Sequence, residues 1–595
     1  MEPNGNINNN NEEGEGIQYG NMYCYNPQNS NSINEPPKDT NAVRRSSIEN
    51  IENQYQIGQN NINNDLENQQ SAIRRSIGER NPNADYPNYA EKSSEQRIPN
   101  IKESNSPFQI KLSHAYHPQR EPKNNYYLIY ILIGMFQAIL ITLIATLYKF
   151  GDKSGDPKNS NSQSKEFYYY YHFFKDVHLM IFIGFGLLYT ALKDHQWSSI
   201  VIVLFTGIFS FEISFFWNYL WWNTFKKGNW SKAPVNFEHL SQIDFTAATV
   251  LISLGSLIGK LSISQLLIMS FLETFSSSLN YYLCYEKIKA VDNGGSLYIH
   301  TFGAIFGISV AISVFCREKV YSKIRFNPHL RSDYYSNMIS LIGSLFLWLY
   351  FPSFNTARIQ CNGNENDTNN IMEILRYRGI VNTYFSMIGS VIGTFVISPL
   401  VSSGKINIAH LLNASYVGGI IIGGSCTICS SAWGAILIGF IGGCLSVLGL
   451  WKLKKILKDH KLDDTFGILF TFGIPGLLGG FLNSIFMGNF KNSIWAGVEI
   501  KDLFNSNKRP SRQAGIQIAA IFITIGLAGV FGIFIGFMLR VMKCQKNETY
   551  FIDSELCIED ENIPLPEWKY QNYEQNLSSS GNKINVEERE VNIQH

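Results

Sequence analysis

The chain has 595 residues, a formal net charge of +1 and a mean hydropathy of −0.07. A charge so close to zero gives no electrostatic reason to expect nucleic acid as a partner, and no patch of basic and aromatic residues suggests it. The average hydropathy combines two kinds of sequence, because polar segments at both ends enclose a long apolar middle.

Both ends of the chain are polar. Residues 1–124 are rich in Asn, Gln, Glu and Ser and contain no long apolar run, and residues 544–595 are similar. Such segments cannot bury enough apolar surface to offset the entropy lost on ordering. We therefore predict a disordered, Asn-rich cytoplasmic tail over 1–124, a transmembrane domain over 125–543 and a polar, disordered cytoplasmic tail over 544–595.

Between the tails, apolar stretches recur that are about 20 residues long, the length of a helix that crosses a bilayer. They predict an all-α polytopic membrane protein, embedded in the lipid bilayer by about twelve helices. The predicted spans lie near 126–149, 175–193, 197–222, 244–260, 263–285, 296–316, 333–351, 379–401, 406–424, 430–450, 464–488 and 514–541.

Clusters of Lys and Arg indicate which ends of the spans face the cytoplasm. Basic loops follow the sixth span, at 316–325, and the tenth span, at 451–458. With twelve spans, this pattern places both termini in the cytoplasm, and we expect the plasma membrane to hold the protein. The same topology places Asn229 and Asn366 outside, each within an Asn-X-Ser/Thr tripeptide that can accept a glycan.

Two ionisable residues, Asp292 and His300, lie at the start of the sixth predicted span. Ionisable groups are costly in hydrocarbon and are usually kept for a pathway or a pairing role. Asp292 precedes Gly294, Gly295 and a helix start, so we expect its carboxylate to accept hydrogen bonds from backbone N–H groups there. His300 is interpreted as a pore residue, the alternative being a histidine satisfied between packed helices.

Several different motifs follow one another along the spans, at 174–186, 244–245, 265–269, 292–304, 346–355, 381–384 and 410–414. In this order and spacing they resemble the Rh glycoprotein branch of the ammonium transporter (Amt/Rh) family, over about residues 126–543. The resemblance implies a homotrimer of twelve-helix or eleven-helix protomers. Each protomer would have a narrow apolar pore that recruits ammonium, removes its proton and passes neutral ammonia, which avoids the cost of moving an ion through a low dielectric.

The resemblance also implies roles for individual residues. Phe245 and Phe354 match the two stacked phenylalanines that gate the outer mouth of such pores, although ordinary core packing would also explain them. Asp292 matches an aspartate that shapes the pore mouth, and His300 matches the first of two pore-lining histidines. A neutral imidazole offers one hydrogen-bond donor and one acceptor to ammonia or water.

Phe472 is the main departure from the family pattern, because it occupies the position of the second histidine. Phenylalanine neither donates nor accepts a hydrogen bond, so a proton relay between two histidines is not expected. His300 would need another partner, such as Thr471 or water. Neutral gas could still pass, or the lumen could be plugged.

Other matching residues are expected to be structural. His178 and His410 match family positions that also suit helix packing, and Asn413 is predicted to form hydrogen bonds between helices. Cys426 and Cys429 have a CxxC spacing, but no further ligands lie nearby in the sequence, so we interpret them as buried thiols rather than a metal site.

Two short runs in the N-terminal tail place a pair of arginines before serine, which suits a basophilic kinase but also arises by chance. The candidate phosphorylation sites are Ser46, Ser47 and Ser76.

Three functions remain open at this point. The first is a channel for ammonia or ammonium, with altered proton coupling. The second is a non-conducting Rh-like subunit that scaffolds or partners other membrane proteins. The third is a channel for another neutral gas, such as carbon dioxide. No nucleophile–base arrangement, nucleotide-binding loop or metal cluster is evident, so neither an enzyme nor a cofactor is predicted.

Overall fold

The computed structural model describes residues 125–150, 160–226, 230–315, 330–359, 365–489, 494–495, 498–499, 509–542 and 553–556. The predicted tail over 1–124, with Ser46, Ser47 and Ser76, lies outside these ranges, and so does Asn229. Asn366 lies in the first turn of a helix, but its side chain is outside the described part of the chain.

Twelve long helices run through the described residues, and we number them α1–α12, counting a turn that continues a helix as part of it. They are Asn125–Leu147 (α1); Ser160–Leu179 with Met180–Gly184, Phe185–Leu188 and Tyr189–Ala191 (α2); Gln196–Lys226 (α3); Phe237–Leu257 (α4); Ile263–Tyr281 with Tyr282–Lys287 (α5); Ser296–Thr301 with Phe302–Phe315 (α6); Tyr334–Thr356 (α7); Glu365–Val401 (α8); Ile408–Ala414 with Val417–Ile422 and Gly423–Ser425 (α9); Ala432–Leu448 with Gly449–Leu453 and Lys454–Asp459 (α10); Leu469–Gly473 with Ile474–Gly488 (α11); and Pro510–Val541 (α12).

Eleven of these helices are long and apolar enough to cross a membrane. The exception is α5, whose sequence includes Glu273 and the serines at 276–278. These polar side chains are buried against neighbouring helices, so α5 keeps its place in the bundle although its composition is less apolar. The predicted all-α membrane fold is therefore confirmed, with α4 and α6 as the most enclosed of the helices that qualify.

Two small sheets lie between the helices. Strand β1 (Tyr148–Phe150) pairs in parallel with β2 (Ala233–Val235), Tyr148 opposite Ala233. Strand β3 (Ile494–Trp495) pairs antiparallel with β4 (Val498–Glu499). Both sheets connect chain segments near helix ends and do not alter the all-helical core.

A short helix, Asp553–Leu556, lies within the segment predicted as the C-terminal tail. The Asp553 carboxylate accepts hydrogen bonds from the backbone N–H groups of Gln196 (2.9 Å) and Ser198 (2.8 Å) at the start of α3. A carboxylate there satisfies N–H groups that have no partner within the helix and suits the positive end of its dipole. These four residues of the tail are thus attached to the transmembrane domain.

Glycines allow close packing between α8 and α10. A Cβ atom at Gly439 of α10 would meet the backbone carbonyl of Ser386 in α8, and one at Gly389 of α8 would meet the backbone of Ile436 in α10. Small residues are common where membrane helices approach closely, because van der Waals contact and interhelical hydrogen bonds replace the hydrophobic effect there.

Candidate functional site

Asp292 holds the start of α6. Its carboxylate accepts hydrogen bonds from the backbone N–H groups of Ser296 (2.9 Å), Leu297 (2.7 Å) and Tyr298 (3.3 Å). These hydrogen bonds form the helix cap that was predicted from the position of Asp292 before α6. The side chain is buried, and its oxygens are occupied by the backbone, so Asp292 fixes the position of the helix that carries His300.

Asp464 does the same for α11, the helix that carries Phe472. Its carboxylate accepts hydrogen bonds from the backbone N–H groups of Gly467 (2.9 Å), Ile468 (3.0 Å) and Leu469 (3.0 Å). The sequence analysis did not identify Asp464. The sequence does carry a signal for a helix cap here, because Asp464 precedes a glycine and an apolar run, and Asp is favoured at helix starts.

His300 lies among three phenylalanine rings in the interior. Its side chain is 1% exposed, and ring centroids lie 5.6 Å away at Phe354, 5.8 Å at Phe351 and 5.7 Å at Phe472. Neither ring nitrogen has a hydrogen-bond partner among the described protein atoms. The suggestion that Thr471 is its partner is wrong, because the Thr471 hydroxyl is also without a partner there.

Phe245 of α4 and Phe354 of α7 pack edge to face, with ring centroids 4.7 Å apart and an interplanar angle of 73°. Both rings are buried. Because Phe354 also contacts His300, the imidazole is linked through Phe354 to Phe245 by a series of ring contacts.

Phe472 also stacks on His300, with an angle of 21° between the two rings. Beyond it lie Phe185, 5.9 Å from Phe472 between centroids, and Tyr416, at 5.8 Å. The aromatic series from Phe245 to Phe185 is continuous, and each member is less than 3% exposed. We call these side chains the aromatic column: Phe245, Phe354, Phe351, His300, Phe472, Tyr416 and Phe185.

Three members of the column, Phe351, Phe185 and Tyr416, were missed by the sequence analysis. Phe351 could have been predicted from the sequence, since it lies three residues before Phe354 and therefore on the same face of α7. Tyr416 lies in the interruption of α9 between Ala414 and Val417, which hydropathy does not reveal. No local signal identifies Phe185 among the many phenylalanines of this chain.

The three residues assigned to helix packing differ in what they contact. The His178 ring lies 3.0 Å from the Asp244 carboxylate, linking α2 to α4, and the His410 ring lies 3.1 Å from the Ser398 hydroxyl, linking α9 to α8. Asn413 instead donates to the Ala409 carbonyl (2.9 Å), one turn back in its own segment. The predicted hydrogen bond between helices at Asn413 is therefore wrong.

Cys426 and Cys429 are free, buried thiols at the end of α9, as the sequence analysis expected. The described residues contain no group of His, Cys, Asp and Glu side chains that could hold a metal ion. The Asn382 amide donates to the backbone carbonyls of Cys426 (2.7 Å) and Cys429 (2.9 Å), so this segment is fixed by hydrogen bonds.

The sequence profile of the Ammonium Transporter Family matches residues 138–551. The chain belongs to this family. Ammonium transporter Rh type B of Takifugu rubripes is 32% identical to it over 418 residues, which cover 68% of this chain and 87% of that protein. Ammonium transporter Rh type C of Xenopus laevis is 31% identical, and the match covers 69% and 86% of the two chains.

A solved structure of Rh50 from Nitrosomonas europaea, described as one of the Rhesus protein family of channels, has 26% sequence identity to this chain and a TM-score of 0.54. The match covers 70% of this chain and 98% of Rh50. The predicted membership of the Rh branch is confirmed, and the family is one of membrane transporters rather than of enzymes.

Proposed function

We propose that this member of the Rh branch is a channel that passes neutral ammonia through the aromatic column, with His300 as its single imidazole. The observation that carries the proposal is the position of His300, whose two ring nitrogens are buried among apolar rings without protein partners. A neutral imidazole supplies one donor and one acceptor, which complement the lone pair and the N–H groups of ammonia.

The apolar surroundings favour the neutral species over the ion. An ammonium ion would lose its hydration between Phe354 and Phe472, whose rings offer no hydrogen-bond acceptor. Because Phe472 cannot take up or release a proton, the second half of a two-histidine relay is missing. Ammonium must therefore give its proton to bulk water outside the column, and neutral ammonia then enters it.

We further propose that three copies of the chain form a trimer in the plasma membrane, each with its own pore, and that both termini are cytoplasmic. The assembly rests on membership of the family and on the resemblance described above. Native mass spectrometry of the detergent-solubilised protein would test it, with three copies of the 67.5-kDa chain as the expected mass.

The experiment that tests the channel is stopped-flow ammonia uptake into proteoliposomes loaded with a pH dye. We expect faster alkalinisation than in empty vesicles, and a clear loss of this gain in His300→Ala, because the only imidazole of the column is removed. His460→Ala is the matched control, since His460 lies on an exposed turn after α10.

The alternative is a non-conducting Rh-like subunit that partners other membrane proteins. One observation favours it, namely that neighbouring rings from Phe245 to Phe185 lie only 4.7–5.9 Å apart and leave no side chain of the column exposed. Uptake equal to that of empty vesicles, by correctly assembled protein, would support this alternative. Uptake of carbon dioxide without ammonia would support the third candidate, a channel for another gas.

A further inference from the structure

Arg358 lies over three aromatic rings at the end of the bundle that Asp292 caps. The centre of its guanidinium lies 4.4 Å from the Tyr281 ring, 5.4 Å from the Tyr285 ring and 5.4 Å from the Phe245 ring. Tyr281 and Tyr285 are themselves stacked, with centroids 5.2 Å apart and an angle of 15°. We call these three rings, Phe245, Tyr281 and Tyr285, the mouth cage.

Rings arranged around a cation form the kind of site that proteins use to bind ammonium-type ligands, because the negative face of each ring attracts positive charge. Phe245 belongs both to the mouth cage and to the aromatic column. The cage therefore lies directly beside the path proposed for ammonia. In this chain, the cation in the mouth cage is the guanidinium of Arg358, which belongs to the protein itself.

Arg358 forms no salt bridge with a described carboxylate, and its guanidinium lies over aromatic rings. The carboxylates closest to the cage are in contact with other groups: Glu286 lies 3.3 Å from Lys289, and Asp292 accepts hydrogen bonds from backbone N–H groups. A guanidinium remains protonated at any physiological pH, so its field at the mouth is permanent.

We propose that Arg358 is a tethered cation that fills the mouth cage and excludes ammonium ions from it, so that neutral ammonia is the species that enters. Two effects act together. The rings that would bind an ammonium ion are already covered, and the positive charge of Arg358 repels a second cation at the same position. Arg358 thus determines which form of the substrate is accepted, and it does not take part in passage along the column.

This inference rests on the proposed channel function, but binding can be measured whether or not the pore conducts. The first test is binding of radiolabelled methylammonium to the full-length protein in detergent, compared among wild type, Arg358→Met and Arg358→Lys. Methionine fills the space without charge, whereas lysine keeps the charge. Arg376→Met is the matched control, because Arg376 also lies over two rings, those of Tyr170 and Phe173, outside the cage.

We expect Arg358→Met to bind methylammonium at least about tenfold more tightly than wild type, the gain of a desolvated cation–π site. Arg358→Lys and Arg376→Met should bind like wild type. Equal binding by wild type and a folded Arg358→Met would overturn the inference, as would Arg358→Lys behaving like Arg358→Met. If Arg358→Met does not assemble, Arg358→Gln, which is also neutral, carries the same expectation.

A second measurement needs only the wild-type protein. On a solid-supported membrane, an ammonium pulse should give no current above that of empty liposomes, because the ion is excluded at the mouth. An ammonium current in wild type would overturn the inference while supporting conduction. Absence of both current and ammonia uptake would count against the channel alone, and the binding comparison would still decide the role of Arg358.

Discussion

At the residue scale, His300 lies among aromatic rings in the interior of the helical bundle. The ring is enclosed by Phe351, Phe354 and Phe472, and its two nitrogens have no hydrogen-bond partner among the described residues. The sequence motif predicted that Phe472 occupies the place of a second imidazole, and the two rings do stack. The position of Arg358 over Phe245 was not predictable, because that contact joins helix ends far apart in the sequence.

Replacing Phe472 by histidine should therefore restore a hydrogen-bonding partner for His300. The imidazole would lie where the phenyl ring now stacks, with 5.7 Å between ring centroids. We expect ammonia flux in proteoliposomes to rise by roughly tenfold, a modest part of what a second positioned proton acceptor beside His300 can contribute. Phe472→Leu, which removes the ring without adding a nitrogen, should not show this rise. A Phe472→His protein that reaches the membrane with unchanged flux would contradict our account of this position.

At the element scale, the existence of the helices was predictable, but several of their ends were not. The span predicted at 379–401 belongs to a helix that begins at Glu365, and the span at 175–193 to one that begins at Ser160. Hydropathy detects only the apolar part of a helix, whereas its polar turns can continue beyond the hydrocarbon. The interruption of α9 was also missed; just after it, Gly418 packs on the backbone of Ser386 and Gly419 on the Phe351 ring, contacts that the sequence does not reveal.

The α8–α10 contact provides a prediction about packing. In Gly439→Ala the new methyl group would meet the Ser386 carbonyl, so the two helices must separate. We expect a destabilisation of about 1–3 kcal/mol, the range for overpacking. Gly526→Ala in α12 is the control, since nothing lies within 4 Å of its added Cβ. Thermal unfolding in detergent should show a lower midpoint for Gly439→Ala and an equal or higher one for Gly526→Ala, because alanine favours helix.

The loop between α10 and α11 provides a prediction about charge. The buried Lys260 ammonium donates to the Asp463 backbone carbonyl (2.7 Å) and lies 3.4 Å from its carboxylate, and Lys458 lies 3.5 Å from the same carboxylate. Asp463→Asn would remove the only carboxylate that pairs directly with buried Lys260 among the described residues and leave only the more distant Asp464, which should cost about 3 kcal/mol. Lys458→Gln removes the more exposed partner and should cost less than about 1 kcal/mol. Equal losses in the two variants would show that burial of Lys260 does not control stability here.

The same carboxylate makes stability depend on pH. Burial alone would raise the pKa of Asp463, but the ammonium groups of Lys260, Lys458 and Lys454 hold it below its usual value. A carboxyl whose pKa is lowered by folding stabilises the native state above its unfolded pKa of about 3.9, and this contribution is lost as the pH falls further. Between about pH 5 and pH 3, wild type should therefore lose more stability than Asp463→Asn. Parallel unfolding curves for the two proteins would contradict this assignment.

At the scale of the whole molecule, the even number of helices has a topological consequence. If α5 crosses the membrane together with the eleven described helices that are long and apolar enough to do so, the chain returns to the side from which it entered. Asp292 lies at one end of the bundle before α6, and Asp464 lies at the other end before α11, so the helices that carry His300 and Phe472 run in opposite directions toward the column. The sequence predicts about twelve crossings, and it predicts their orientation in the membrane from the distribution of basic loops.

Orientation can be tested with single cysteines in a chain whose native cysteines are replaced by serine. Lys232, beside β2, and His460, after α10, are both exposed and lie at opposite ends of the bundle by the number of crossings between them. If both termini are cytoplasmic, Lys232→Cys should react with a membrane-impermeant maleimide in intact cells. His460→Cys should react only after permeabilisation, because its basic neighbours favour the cytoplasmic side. The reverse labelling pattern would place the mouth cage and Arg358 on the cytoplasmic face, and ammonium exclusion would then act on efflux rather than uptake.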